Sequence, residues 1–204
     1  VPKTVKNYLA KEAEAEKEFS KKYFEKGNIH NIIVVSNDLA TESAKEKGEE
    51  LGLNTLILSR MIEGESKEAG IFTGGIVRDI IRSSTPLERP CLIISGGETT
   101  VTLSEKKGEG GPNQEFALGS ATKIKNLKDV AVASVDTDGT DGPTDIAGGI
   151  VDGHTFEKTK TIGLNIKKEL DTHNSKEILE KVNGAIILGP TGTNVNDLRL
   201  AVVE

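Results

Sequence analysis

Three short apolar runs, NIIVVS at 31–36, TLILS at 55–59 and CLIIS at 91–95, alternate with stretches of helical character. A strand apolar on both faces has to be covered on both sides. Strands interleaved with covering helices are the pattern of βαβ units. The expected class is therefore α/β: a mixed, largely parallel sheet with helices on both faces. Asn37 or Asp38 caps a first crossover helix running to Leu51, with Gly52 as its stop. A second should run over 65–81 and bury Ala69, Phe72, Ile76, Val77, Ile80 and Ile81. Gly70, Gly74 and Gly75 weaken that helix, so close packing against a neighbour is expected as compensation.

The theme continues with a helix over 113–125, a strand over 130–134 and two helical stretches between His154 and Val182. Strands over 185–188 and 198–203 complete the pattern. Ahead of all this, residues 5–26 read as one helix, with Thr4 as N-cap and Gly27 as stop. Its apolar face is thin, which suits a solvated connector. The chain opens VPKTV and its one methionine is Met61, so it reads as a piece of a longer protein. Residues 1–28 are then a connector from a preceding domain, and 29–204 a single α/β domain.

Composition removes several classes. A net charge of −6 lacks the basic footprint of a nucleic-acid binder. No apolar run approaches membrane-spanning length. The lone Cys91 forms no internal disulfide, lies in an apolar run as core filler, and fits a reducing cytoplasm. A homo-oligomer stays open.

Four glycine-rich loops follow strand ends, the edge where open α/β sheets bind ligands. SGGETTVTL (95–103) offers backbone amides at Gly96 and Gly97, with Glu98 and Thr99 beside them; it reads equally as a turn into a hairpin. KGEGGPNQEF (107–116) fails as a dinucleotide fingerprint, since Asn113 stands where the third glycine belongs. Pro112 instead starts a helix whose amides at Asn113, Gln114 and Glu115 either face an anion or are capped and solvated. DTDGTDGPTD (136–145) holds four aspartates. It fails the EF-hand pattern, with Asp141 in place of the glycine and Ala147 in place of the glutamate. A magnesium–phosphate site or a set of solvated Asx turns remains, with Gly139 supplying a tight turn. GPTGTNVND (189–197) sets Thr191, Thr193 and Asn194 in an anion nest but lacks a Walker lysine.

Taken together, SGGETTVTL, GGPNQE, TDGTDGPTD with IAGGIVDG, and GPTGTNVNDL resemble, in order and spacing, the C-terminal half of class II glycerate kinases. Their last part is the MOFRL domain, matched here from about Cys91 to Val203, with a core over about 90–204. The resemblance implies ATP-dependent phosphorylation of D-glycerate to 2-phosphoglycerate with Mg²⁺, and a preceding lysine-bearing domain as partner. It makes Asp138 and Asp141 the candidates for metal binding or for accepting the hydroxyl proton, with Glu98 a further catalytic candidate. Gly96, Gly97, Thr99, Asn113, Gln114, Gly139, Thr191, Thr193 and Asn194 become the substrate- and nucleotide-binding candidates. One departure matters: Pro112 stands where the family often has an arginine, so no guanidinium clamp is available there. Alone, the chain is expected to be inactive. Two alternatives are hydroxypyruvate reduction, a name some family members carry, and a non-catalytic sugar-acid or nucleotide-binding domain.

Overall fold

A computed structural model describes residues 1–14, 30, 32–103 and 108–204. These form two units, Val1–Val34 and Val35–Glu204. In the first, helix α1 spans Lys3–Glu14 and leaves Val5, Tyr8 and Leu9 exposed. It begins one residue before Thr4, so Thr4 lies inside the helix and is not its cap. The remainder of the expected 5–26 helix, Gly27 included, falls outside the described residues.

The second unit carries the sheet. Its helices are α2 (Asn37–Glu50), α3 (Ser66–Ser83), α4 (Pro112–Ile124), α5 (Thr155–Thr161), α6 (Ile166–Asp171) and α7 (Ser175–Lys181). Its strands are β1 (Asn54–Ile62), β2 (Cys91–Gly97), β3 (Val130–Asp136), β4 (Gly148–Asp152), β5 (Ala185–Ile186) and β6 (Asp197–Val203), in the sheet order β1-β2-β6-β3-β4-β5. The expectation of a mixed α/β sheet holds, but its "largely parallel" part needs correction. Only β1 and β2 pair in parallel, while the β2–β6, β6–β3, β3–β4 and β4–β5 ladders are antiparallel. The reason is that β6 and β4 are inserted, reversed, between strands of common direction. β1, β2, β3 and β5 still point the same way, so their carboxyl ends and the amino ends of β4 and β6 share one edge.

Strand β6 alternates buried and half-buried along DLRLAVV, placing Asp197, Arg199, Ala201 and Val203 on one face. Across the ladders these meet Gly97, Ser95, Ile93 and Cys91 of β2, and Asp136, Ser134, Val132 and Val130 of β3. Helices α3 and α4 cover this face, and Phe116, Ile80, Ile93, Val132, Ala201 and Val203 form its core. Each such side chain contributes roughly 1.5–3 kcal/mol by leaving water. Leu92 points the other way, towards Gly48 of α2. Helices therefore lie on both faces, as expected. No helix among the described residues is long and apolar enough to cross a membrane.

Two local expectations fail and one strand was not expected, each for an identifiable reason. Residues 32–36 form no strand, and Ile32, Ile33 and Val34 are 75–79% exposed; an apolar run becomes a strand only where a neighbour takes its amides and carbonyls. Phe72 is 64% exposed, because the α3 face that meets α4 is built from Gly70, Thr73, Gly74 and Val77. β4 went unread, since two of its five residues are glycine and its sequence GGIVD carries little strand signal.

The glycines of α3 divide as the packing requires. A Cβ on Gly70 would sit 2.1 Å from the Phe116 carbonyl oxygen, and one on Gly74 2.6 Å from Lys123 Cβ. Gly75 has nothing within 4 Å. Gly70→Ala should therefore cost about 2–3 kcal/mol by forcing α3 away from α4. Gly75→Ala should gain about 0.5–1 kcal/mol from helix propensity alone. Urea titrations of the two variants decide it; equal shifts would remove the packing account.

Candidate active site

The loop over 136–147 leaves β3 and turns tightly at Gly139, whose φ is +96° and whose missing Cβ would lie 1.9 Å from the Gly189 carbonyl oxygen. The turn carries Asp141 beneath the first turn of α4, where it is 1% exposed. Asn113 donates to its Oδ1 from both the backbone N and Nδ2, at 3.1 Å each, and the Gln114 backbone N donates to Oδ2 at 3.0 Å. The Glu115 amide goes to the Gly111 carbonyl at 3.0 Å. This corrects the expectation that these amides face a ligand anion: the anion is the chain's own carboxylate, acting as a helix cap from a distant loop. It equally corrects the reading of Asp141 as a metal ligand, since both oxygens are committed and buried. Burial raises its pKa to about 6, against the lowering effect of the Asn113 and Gln114 donors.

A second buried group lies alongside. Asn113 Nδ2 also donates to Asp197 Oδ1 at 2.7 Å, and Ser134 Oγ donates to Asn113 Oδ1. Asp197 pairs with Arg199, whose guanidinium also donates to the Gly96 carbonyl at 3.2 Å and to Thr99 Oγ1 at 2.9 Å. Its guanidinium carbon stands 5.1 Å from the centre of the Phe116 ring. Ser66 Oγ donates to Thr99 Oγ1 at 2.6 Å, tying α3 to the same group. Gln114 Nε2 donates to Thr144 Oγ1 at 2.9 Å. Thr99, Asn113 and Gln114, expected as ligand contacts, are thus spent internally: they fasten loops to one another.

What remains open is a rim above this frame. Glu98 accepts from Asn196 Nδ2 at 3.0 Å. Asp138 Oδ1 accepts from the Thr140 amide at 2.8 Å, and its Oδ2 from Asn194 Nδ2 at 3.4 Å. Thr191 donates its amide to the Asp138 carbonyl at 3.1 Å and its hydroxyl to the Thr137 carbonyl at 2.6 Å. Thr193 N donates to Thr191 Oγ1 at 3.3 Å. Glu98, Asp138, Thr191, Thr193 and Asn194 therefore meet on one edge, with Asn196 joining the first loop to the last. Gly96 and Gly97 are buried beneath them; a Cβ on Gly97 would lie 2.3 Å from the Ile62 amide.

The rim is electronegative. Asp136, which accepts from the Asp138 amide at 3.1 Å, has its pKa raised by burial and further by Asp138, Asp197 and Glu98. The loops over 96–103, 136–147 and 187–197 contain no lysine or arginine. Among the described residues no three His, Cys, Asp or Glu side chains are gathered to hold a metal. A magnesium ion that keeps waters and shares phosphates needs only one or two carboxylates, which Asp138 and Glu98 can supply.

Sequence reasoning passed over Ser134, Asp197 and Arg199. The signal was present in DLRLAVV, where a period of two puts Asp197 and Arg199 on the face of Ala201 and Val203. Two opposite charges on an otherwise apolar face announce a buried pair.

Comparison with known proteins places this arrangement. Residues 91–197 match the MOFRL family model. The chain is 48% identical over 176 residues to the glycerate 2-kinase of Pyrococcus horikoshii, covering 86% of this chain and 40% of that one. It is 38% identical to the D-glycerate 2-kinase of Thermotoga maritima, covering 86% and 42%. An Agrobacterium vitis protein bearing a hydroxypyruvate reductase name is 34% identical, covering 84% and 39%. The crystal structure of glycerate kinase from Thermotoga maritima superposes with a TM-score of 0.85 at 34% identity, covering 96% of this chain and 49% of that one. The chain thus spans about 40% of the length of the curated relatives it matches. With more than half of its residues in register with the family model, the chain belongs to the MOFRL family.

Proposed function

We propose that this chain is the C-terminal part of an ATP-dependent kinase that phosphorylates the 2-hydroxyl of D-glycerate to give 2-phosphoglycerate. The observation that carries the reading is the rim itself: Glu98, Asp138, Thr191, Thr193 and Asn194 brought onto one sheet edge in a chain whose relatives are named for this kinase. Thr191, Thr193 and Asn194 offer hydroxyl and amide donors to phosphate or carboxylate oxygens. Asp138 Oδ1 is anchored by Thr140, which leaves the loosely held Oδ2 to accept the substrate hydroxyl proton. Asp138 and Glu98 would hold Mg²⁺, which supplies charge neutralisation for the phosphates. The buried frame fixes these groups, and transfer depends chiefly on such positioning.

The rim loops over 96–103, 136–147 and 187–197 carry no lysine or arginine. A triphosphate needs positive charge, and on this reading a preceding lysine-bearing domain, joined through residues 1–28, would contribute it. The cytoplasm, with its ATP and a reduced Cys91, fits this role. Residues 1–204 alone should show no turnover. In the complete enzyme, Asp138→Asn should lower kcat about tenfold or more. Unchanged turnover in that variant would remove Asp138 from the chemistry.

The reductase name of one relative supports a second reading. A coupled assay separates the two: ADP release with glycerate for the kinase, NADH loss with hydroxypyruvate for the reductase.

A further inference from the structure

Helix α3 leaves one face turned outward. Glu68, Phe72, Gly75, Asp79 and Arg82 recur there at alternating spacings of four and three, the stripe by which one helix meets another. Phe72 is the one phenylalanine exposed among the described residues. Gly75 weakens the helix, yet nothing lies within 4 Å of where its Cβ would stand, so packing inside this chain gives no reason for it. Charge is divided about Phe72. On one side is a cleft lined by Glu63, Glu65 and Glu68. On the other is a shallow groove carrying Arg78, Arg82 and Lys123, with Ile76 and Leu127 beside them. The face is therefore acidic where α3 starts and basic where it ends.

We propose that this face binds a second copy of this chain, the two α3 helices lying antiparallel about a two-fold axis at Gly75. A helix acidic at its start and basic at its end complements itself only when reversed, and a two-fold axis reverses it. Centred on Gly75, that register sets Glu68 against the partner's Arg82 and Phe72 against the partner's Arg78, a ring face under a guanidinium. Arg82 holds Asp79 of its own helix at 2.7 Å and, being mostly exposed, has donors left for a second carboxylate. The two glycines meet at the axis, where the lack of side chains lets the helices approach closely. That gives Gly75 a use the single chain does not. The net charge of −6 makes two copies repel at large, so they can meet only where opposite charges face. Eighteen residues make a strip about 27 Å long, at the small end of specific interfaces, and a roughly micromolar dissociation constant is expected.

Sedimentation velocity of the complete gene product over about 1–100 µM tests this, and the unaltered protein is expected to dimerise. Glu68→Arg should weaken the dimer about tenfold or more by setting like charges together, and Arg82→Glu should do the same. Both changes in one chain should restore association to within about threefold of the original, because the pair re-forms with its signs exchanged. Gly75→Gln should weaken the dimer at least about tenfold by placing side chains at the axis. A urea titration of that variant in dilute protein, where the monomer prevails, should show stability unchanged or raised. A merely structural role for Gly75 would move the second measurement and not the first. A protein that stays monomeric throughout overturns the proposal, and a Phe72→Cys thiol closed to a maleimide in that monomer would assign the face to a preceding part of the chain. A dimer indifferent to Gly75→Gln and to both charge reversals also overturns it, since such a dimer forms through another face.

Discussion

Arg199→Met is expected to lower the unfolding free energy by about 3–5 kcal/mol in a urea titration. The guanidinium is the partner of Asp197 inside a core that admits almost no water, both side chains being nearly fully buried. Methionine restores the volume against Phe116 but leaves the Asp197 carboxyl with only the Asn113 Nδ2 and Thr99 amide donors. Removing one partner of a buried pair strands the other charge, and that cost exceeds what the pair itself contributes. Asp197→Leu in the Arg199→Met background should therefore recover much of the loss. Lysine is no substitute: one ammonium cannot reach Asp197, Thr99 Oγ1 and the Gly96 carbonyl in the fork that arginine provides. A loss below about 1 kcal/mol for Arg199→Met would mean that solvent reaches Asp197 and that the frame is not closed.

The same pair shows where the sequence was legible and where it was not. Apolar alternation disclosed β1, β2, β3 and β6 and the helices α2, α3 and α4, because burial on two faces leaves a pattern within a single segment. Strand order left no such trace. Nothing within β6 or β4 announces that each runs backwards between its neighbours, and these two insertions make four of the five ladders antiparallel. The loops at one edge were found because glycine and aspartate concentrate there, and Glu98, Asp138 and Asn194 do meet on the rim. The roles of Asp141 and Asn113 were misassigned for a physical reason. An acidic side chain and a set of helix amides each look like half of a ligand site. Only the fold shows that they are the two halves of one internal contact, 28 residues apart.

That contact has its own titration. Asp141→Asn should remove a stretch of pH-dependent stability between about pH 4 and 6 that the unaltered protein displays. The carboxyl titrates at about 6 in the folded chain, against an ordinary 3.8 once unfolded. Between those values the folded chain binds the proton and the unfolded chain does not, so raising the pH draws the equilibrium towards unfolding. The contribution is complete below pH 4, declines through the window and is lost above pH 6, amounting to roughly 3 kcal/mol. Glu115 and Asp136, whose carboxyls burial also raises, are present in both proteins and cancel in the difference. The comparison is of slopes and not of levels, because asparagine turns an amide N–H₂ towards the Asn113 and Gln114 donors and is destabilising at every pH. Two forces compete at Asp141: burial disfavours the charge, while three N–H donors and the α4 dipole favour it. If the donors prevail, the sign reverses, and the unaltered protein gains stability with rising pH relative to Asp141→Asn. Parallel slopes in the two proteins would mean that Asp141 keeps its ordinary pKa in the fold.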